Sequence, residues 1–478
     1  MTRSYDLVVI GAGPVGENVA DYAHKRGLSV AIVESELVGG ECSYWACIPS
    51  KAMLRPALTL EAAKRVGGAR EAVTGALDAA AVLRRRDSFV SDWDDSGQVE
   101  WLDGAGIDLV RGHGRITGVR TVSVTAADGS VTELTAEHAV AVSTGTAALL
   151  PGIDGLADVD PWTSREATGA KQVPASLAIL GGGVVGAEMA TLYASLGSAV
   201  TLIARSGLLG GMEPFAGDMV AEQLRRSGAD VRLGVSPVRA RRDADGVHLE
   251  LDDGTTIVAE ELLVATGRVP RTEDLGLDTV GLENGRWLDV DDTLLVTAGT
   301  NGAKPWLYAV GDVNHRALLT HQGKYQGRAA GEVIAARAQG RPVDDKPWGL
   351  HVATADREAV PQVTFTDPEV ASVGLTEKAA RDAGYAIRAV TYELGSVSGA
   401  SLQADGYTGR ASMVVDEKRK VILGVTFVGQ DVAELLHSAT IAVVGEVPLD
   451  RLWHAVPAFP TMSEIWLRLL ETYGRPDA

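Results

Sequence analysis

The chain has 478 residues, 46% hydrophobic and 22% charged, and its 63 acidic against 44 basic side chains give a net charge of −19 at pH 7. That length exceeds one ordinary core and implies roughly two to four domains, while the acidity argues against a nucleic-acid partner, which needs a basic face to release counterions. No run approaches the ~20 apolar residues of a membrane span, and MTRSYDLVVI leads into a strand without a signal-peptide pattern, so no membrane partner and cytoplasmic residence are expected.

The first predicted unit is DLVVIGAGPVGENVADYAHKRGLSVAIVE: an apolar strand, a glycine turn, a helix with apolar spacing and a second strand ending at Glu34. Gly11 permits the tight turn, Gly13 lets a pyrophosphate approach the backbone, and Gly16 lets helix and strand pack closely. Pro14 suits a first helical turn, whose amides then face the phosphates. Glu34, followed by Ser35, offers a carboxylate to the ribose hydroxyls of an adenosine.

Next comes GGECSYWACIPSK, which opens with Gly39 and Gly40 and holds the only two cysteines, Cys42 and Cys47. A structural zinc site needs four ligands, and the nine histidines offer none at the required spacing, so no metal site is expected. A redox pair cycling between dithiol and disulfide remains, and a reducing compartment suits a catalytic bridge better than a structural one. Residues five apart in one regular helix have Cα atoms about 8.6 Å apart, beyond the bridging limit of roughly 7 Å. Cys42 therefore belongs at or before a helix start, and Pro49 again marks a first turn. There the helix dipole should lower the Cys42 pKa and favour thiolate.

The glycine pattern returns in SLAILGGGVVGAEMATLYASLGSAVTLIARS, with Gly181, Gly183, Val185, Gly186 and Glu188 in its turn and helix. Gly11 to Glu34 spans 23 positions, and so does Gly181 to Ala204. The second copy has Ala204 at the acidic position, followed by Arg205 and Ser206. Without a carboxylate nothing repels a 2′-phosphate, and Arg205 can pair with it, which favours NADPH while leaving NADH open. Thr144 and Gly145, and Gly267 and Arg268, follow apolar strands and read as close-approach points. Pro/Gly-rich crossings near 150–160, 270 and 341–349 divide the chain into 1–150, 151–270, 271–345 and 346–478. In the last segment the strands QVTF, ASMVV and VILGVTFVG flank two helical stretches, an α+β pattern.

CIPSK, the two glycine fingerprints, VATGRVP, YAVGDV and FPTMSE together resemble the flavoprotein disulfide reductases, the pyridine nucleotide-disulfide oxidoreductases that include dihydrolipoamide dehydrogenase, glutathione reductase and mercuric reductase. The resemblance covers nearly the whole chain. It implies an α/β fold with two Rossmann-like dinucleotide-binding domains, one for FAD (1–150, completed by 271–345) and one for NAD(P) (151–270), and a C-terminal α+β dimerisation domain (346–478) that makes a homodimer. It also implies that the first fingerprint and Glu34 bind FAD and that Gly311 and Asp312 meet the ribityl chain. Backbone at His113 and Gly114 would lie beside the adenine, with Leu319, Thr320 and His321 near the pyrimidine side of the flavin. Lys51 would approach flavin N5 and pair with Glu188. Cys47 would face the flavin and Cys42 would attack substrate, so electrons would run from the nicotinamide through FAD to a Cys42–Cys47 disulfide.

Four departures matter. Where the family's disulfide reductases place a histidine before Pro-Thr, this chain has Phe459, although the glutamate that would orient it, Glu464, is retained. Thiol exchange expels a thiolate, and losing the acid that protonates it costs about 10²–10⁴ in rate for an alkyl thiol; His454 is the only nearby substitute. Tyr44 and Trp45 replace small or amide residues between the cysteines, where their rings either stack on a planar substrate or pack inward. Mercuric reductases carry a second cysteine pair near the C-terminus, and the tail LRLLETYGRPDA has none. In GRVPR, Arg271 stands for the family's asparagine. The reading is an NAD(P)H-dependent enzyme acting on a disulfide or other thiol-reactive small-molecule acceptor. The alternatives are direct reduction of quinones or metal ions, and a flavin redox sensor or complex subunit.

Overall fold

The computed structural model describes residues 2–298 and 305–475; the last three residues of the cysteine-free tail lie outside them. It comprises two compact units, the first assembled from Met1–Pro49, Asp87–Ala148 and Arg268–Arg357. Its centre is β1 (Thr2–Ile10), whose Leu7, Val8 and Val9 are fully buried. A strand apolar on both faces must be covered on both, as in a parallel sheet, and each such side chain contributes about 1.5–3 kcal/mol on burial. α1 (Pro14–Lys25) follows the glycine turn, and β2 (Val30–Glu34) then pairs parallel with β1. α2 (Gly40–Tyr44) and α3 (Cys47–Lys64) come next in the chain.

With β3 (Asp108–Arg111), β4 (His113–Gly118), β5 (Thr121–Thr125) and β6 (Val131–Val142), the strand order is β3-β2-β1-β6-β5-β4. The short strand Leu307–Ala309 pairs with the C-terminal half of β6. β7 (Thr146–Ala148) forms a separate antiparallel ladder with Arg268–Pro270. The long helix Thr320–Ala338 packs on α1 through Gly323, Gly327 and Gly331. A Cβ at these three positions would come within 2.5–2.9 Å of Val15, Asn18, Val19, Tyr22 or Ala23, so the two backbones approach as closely as glycine allows.

The second unit comprises Ser50–Arg86, Leu149–Gly267 and Glu358–Ala478. β8 (Ser176–Leu180) lies between Ala199–Ala204 and Glu261–Val264 in a parallel four-stranded sheet ending in Asp230–Leu233. A three-stranded antiparallel sheet spans Pro237–Asp243, Gly246–Leu251 and Thr256–Ala259. The C-terminal part is a five-stranded antiparallel sheet with Val421–Gly429 buried along its whole length at the centre. The helices Leu436–Val444 and Ile465–Tyr473 pack on it, leaving Ile441 and Val444 exposed. The fold class is α/β with a C-terminal α+β domain.

Candidate active site

The two glycine turns have the same backbone. Gly11 has φ +102° and Gly181 φ +126°, and a Cβ on either would come 2.4 or 2.2 Å from the carbonyl oxygen of Ser143 or Ala265 on the neighbouring strand. A Cβ on Gly16 or Gly186 would lie 1.9 Å from the oxygen of Gly11 or Gly181, so neither position admits a side chain. The middle glycines are open: Gly183 has nothing within 4 Å of its Cβ position, and Gly13 only Gly40 Cα at 3.9 Å. This is space in which a pyrophosphate can meet backbone amides. Gly13 caps α1 with Pro14 in its first turn; Gly183 caps Val184–Ser195, and Val185 is exposed at its start.

At the end of β2 the Glu34 carboxylate accepts the amides of Ala12 and Glu36, each at 2.8 Å, while Ser35 is exposed. Burial raises its pKa against those amides, which pull it down. A Cβ on Gly114 would press on Val33 and Ile10 at 3.1 and 3.2 Å, so β4 crosses close over β1 and β2, and the His113 ring sits at the surface, its Nε2 3.1 Å from the Asp274 carbonyl. Asp312 accepts from Thr146 Oγ1 at 3.0 Å, and burial raises its pKa. Beneath it, the buried Gln326 side chain accepts from the Gly311 amide and from Asn314 Nδ2, both at 2.8 Å, and donates to Asp356. The hydroxyls of Ser143 and Thr144 are buried without a hydrogen-bond partner among the described residues. Open glycines, a carboxylate at a strand end and unpaired hydroxyls form a donor set that fits a flavin dinucleotide.

The redox segment breaks between its cysteines. α2 ends at Trp45 (φ −137°), and Cys47 is the first residue of α3. Both cysteines are reduced thiols, and Cys42 is hydrogen-bonded to Cys47. Contrary to expectation, the Cys42 pKa is raised, first by that hydrogen bond and then by burial. The dipole argument assigned the long helix to the wrong sulfur, because Cys47 heads α3 while Cys42 sits in a single turn. Thr320, at the start of its own helix, lies 3.3 Å from Cys47 Sγ, with Leu319 as N-cap and His321 exposed. A Cβ on Gly40 (φ +58°) would come 2.8 Å from Gly13 Cα, so α2 starts directly against the first glycine turn. Arg271 donates to Glu41, the residue before Cys42, at 2.9 Å and to the Thr146 carbonyl at 3.0 Å. Arg268 binds the hydroxyl and carbonyl of the same threonine. Of the two aromatic residues between the cysteines, Tyr44 is 2% exposed and packs over Gly39, and Trp45 is half-buried.

In the second unit Lys51 Nζ lies 2.7 Å from Glu188 Oε2. Ala204 is buried at its strand end, Arg205 and Ser206 are exposed, and Arg205 makes no ion pair among the described residues. Gly145 (φ +67°) and Gly267 (φ +149°) both need the left-handed freedom of glycine. Phe459 is 73% exposed and His454 is exposed, whereas Glu464 is buried and pairs through Oε1 with Arg468, one turn later. No metal-binding cluster occurs, and no helix is long and apolar enough to cross a membrane, among the described residues.

Sequence reasoning missed the Gln326–Asp356 network and the Arg271–Glu41 pair. It also missed the glycine stripe, although Gly323, Gly327 and Gly331 at intervals of four were a readable signal for close helix packing.

A family model described as pyridine nucleotide-disulphide oxidoreductase matches residues 5–340, and the corresponding dimerisation domain matches residues 360–469. The dihydrolipoyl dehydrogenase of Chlorobaculum tepidum is 34% identical over 97% of this chain and 96% of its own length. The mercuric reductase of Staphylococcus aureus is 30% identical over 96% and 81%. Among solved structures, the HOCl-induced flavoprotein disulfide reductase RclA of Escherichia coli superposes with a TM-score of 0.82 at 25% identity, covering 98% of this chain and 99% of that one. With both fingerprints, the redox segment and the C-terminal sheet inside these matches, the chain belongs to the pyridine nucleotide-disulphide oxidoreductase family, whose members are FAD-dependent enzymes that use NAD(P)H.

Proposed function

We propose that this protein is an NADPH-dependent disulfide reductase, working as a cytoplasmic homodimer, whose acceptors release a thiolate that needs no added proton. The observation that carries the reading is the hydrogen-bonded Cys42–Cys47 pair, whose Cys42 lies on α2, the helix that starts against the first glycine turn. FAD, when bound, supplies a two-electron relay between the nicotinamide and the Cys42–Cys47 disulfide. Residues 1–150 with 271–345 hold it, through Gly11, Gly13, Gly16, Glu34 and Asp312. Residues 151–270 hold the nicotinamide nucleotide, and the exposed Arg205 guanidinium recognises its 2′-phosphate. Lys51, fixed by Glu188, would supply a positive charge to the flavin when it takes up electrons.

In the dithiol state Cys47, at the head of α3, takes the charge, and Cys42 keeps its proton in the hydrogen bond to it. Cys42 Sγ attacks one sulfur of the acceptor disulfide and passes its proton to Cys47. The acceptor S–S bond breaks, one thiolate leaves, and a mixed disulfide remains. Cys47 Sγ, losing that proton to water, then attacks Cys42 Sγ, re-forms the bridge and expels the second thiolate. Two electrons pass from the thiols to the acceptor. Phe459 brings no proton to either leaving sulfur, so the rate follows the acidity of the leaving thiol.

The test is turnover of purified, flavin-loaded protein with NADPH on three acceptors: oxidised glutathione, lipoamide and the aromatic disulfide 5,5′-dithiobis(2-nitrobenzoate). The aromatic disulfide should be reduced about 10²–10⁴ times faster than the alkyl ones. Comparable rates on all three would remove the role given to Phe459. The exposed ring at 459 also favours a second reading, transfer from the flavin to a quinone. Undiminished quinone turnover in Cys42→Ser would select that reading.

A further inference from the structure

The Lys51 ammonium has a second neighbour besides its carboxylate. Its Nζ lies 5.0 Å from the centroid of the Phe365 ring, and the Phe365 N–H donates to Glu188 Oε1 at 3.0 Å. Glu188 is a buried carboxylate, its side chain 4% exposed, and both of its oxygens are occupied: Oε2 by Lys51 and Oε1 by the amide of Phe365. The Lys51 side chain is 35% exposed and carries its charge on a flexible four-carbon stem. An ion pair through one oxygen leaves such an ammonium free to swing towards water, and the negative face of an aromatic ring limits that swing. Phe365 follows the strand Pro361–Thr364 and packs against the core cluster that contains Met53 and Leu54 of α3, so its ring is anchored from the same side as the lysine.

We infer that Phe365 is a positioning residue for the reaction at the flavin: its amide fixes the Glu188 carboxylate and its ring fixes the Lys51 ammonium. This rests on the reading that Lys51 serves the reduced flavin. One residue, more than 300 positions from the lysine, thereby holds both members of the pair. A ring that only filled space would be replaced by any apolar side chain of similar volume, whereas a ring that holds a cation is replaced only by another ring.

The experiment uses the flavin-loaded full chain in four forms: parent, Phe365→Leu, Phe365→Met and Phe365→Tyr, all of which keep the backbone amide. Competitive acylation with acetic anhydride, read by mass spectrometry, compares Lys51 with the exposed Lys378 as internal reference. Lys51 should react about 3- to 30-fold faster in the Leu and Met forms and within twofold of the parent rate in the Tyr form, with Lys378 unchanged. The bound-flavin midpoint potential should fall in the Leu and Met forms and recover in the Tyr form. The Met form decides the case if the Leu form does not fold. Lys51 acylation within twofold of the parent in the apolar variant, or a Tyr form no better than it, overturns the inference. A potential unmoved in Phe365→Met and also in Lys51→Met, with acylation responding as expected, would leave the positioning intact and remove the flavin reading of Lys51.

Discussion

The two glycine turns are alike where the backbone is concerned and different where a ligand would be chosen. Gly16 and Gly186 face the same 1.9 Å obstruction from the first glycine's carbonyl, and Gly11 and Gly181 the same close strand. The strand after the first turn ends in a half-buried Glu34 that already gathers two backbone amides; the strand after the second ends in buried Ala204, followed by an exposed Arg205 that makes no ion pair among the described residues. The next helical positions differ as well, with Glu17 and Asn18 after Gly16 but Ala187 and Glu188 after Gly186. Glycine sets how closely a dinucleotide approaches, and the side chains around it set which dinucleotide is held.

The largest effect comes from breaking the shared part. Gly16→Ala and Gly186→Ala introduce the same impossible contact, and each must open the turn. Gly16→Ala should yield protein that does not retain FAD. Gly186→Ala should remain yellow, while flavin reduction by NADPH in stopped flow slows at least about 10²-fold, since oriented binding of the reductant is lost. A yellow Gly16→Ala protein, or a colourless Gly186→Ala protein, would reverse the assignment of the two turns.

A smaller effect separates the strand ends. Removing the charge-assisted contact of Arg205 with Arg205→Ala should raise KM for NADPH about 10- to 100-fold and leave KM for NADH within about twofold. Equal changes for the two nucleotides would mean that Arg205 does not read the 2′-phosphate.

These contrasts also show how far the sequence could be read. The glycine turns were legible because each is a local steric necessity, and their repetition at equal spacing carried the fold class. The cysteine pair was legible because two cysteines in 478 residues leave few structural uses. The behaviour of Cys42 was not: a thiol treated alone in a helix field looks acidic, while a thiol hydrogen-bonded to a second thiol and buried has its pKa raised. The contacts of Phe365, Gln326 and Arg271 were also invisible, since each is made with a residue distant in sequence, and a Phe or an Arg just past a strand, or a Gln inside a helix, carries no local signature of the contact it will make. The aromatic residues of the redox segment were legible only as alternatives. Burial decided one of them, turning Tyr44 inward.

The smallest expected effect concerns Glu17, where the second copy has Ala187. Burial pushes the Glu17 carboxyl up to about 7, with Lys324 pulling it down and Glu34 adding to the rise. The unfolded chain releases this proton near the ordinary value of 4.5, so between about pH 4.5 and 7 the folded chain holds a proton that the unfolded chain has lost. Stability from this group is therefore complete below pH 4.5 and is lost as pH rises through 7, by at most about 3 kcal/mol. Glu17→Gln keeps the shape and removes the titration. Between pH 5 and pH 8 the parent should lose a few degrees more in Tm than the variant, on the order of 2–5 °C, followed on flavin-loaded protein. Parallel pH profiles would show that Glu17 is already ionised at no cost, and that the first turn carries a second fixed negative charge beside Glu34 where the second turn carries none.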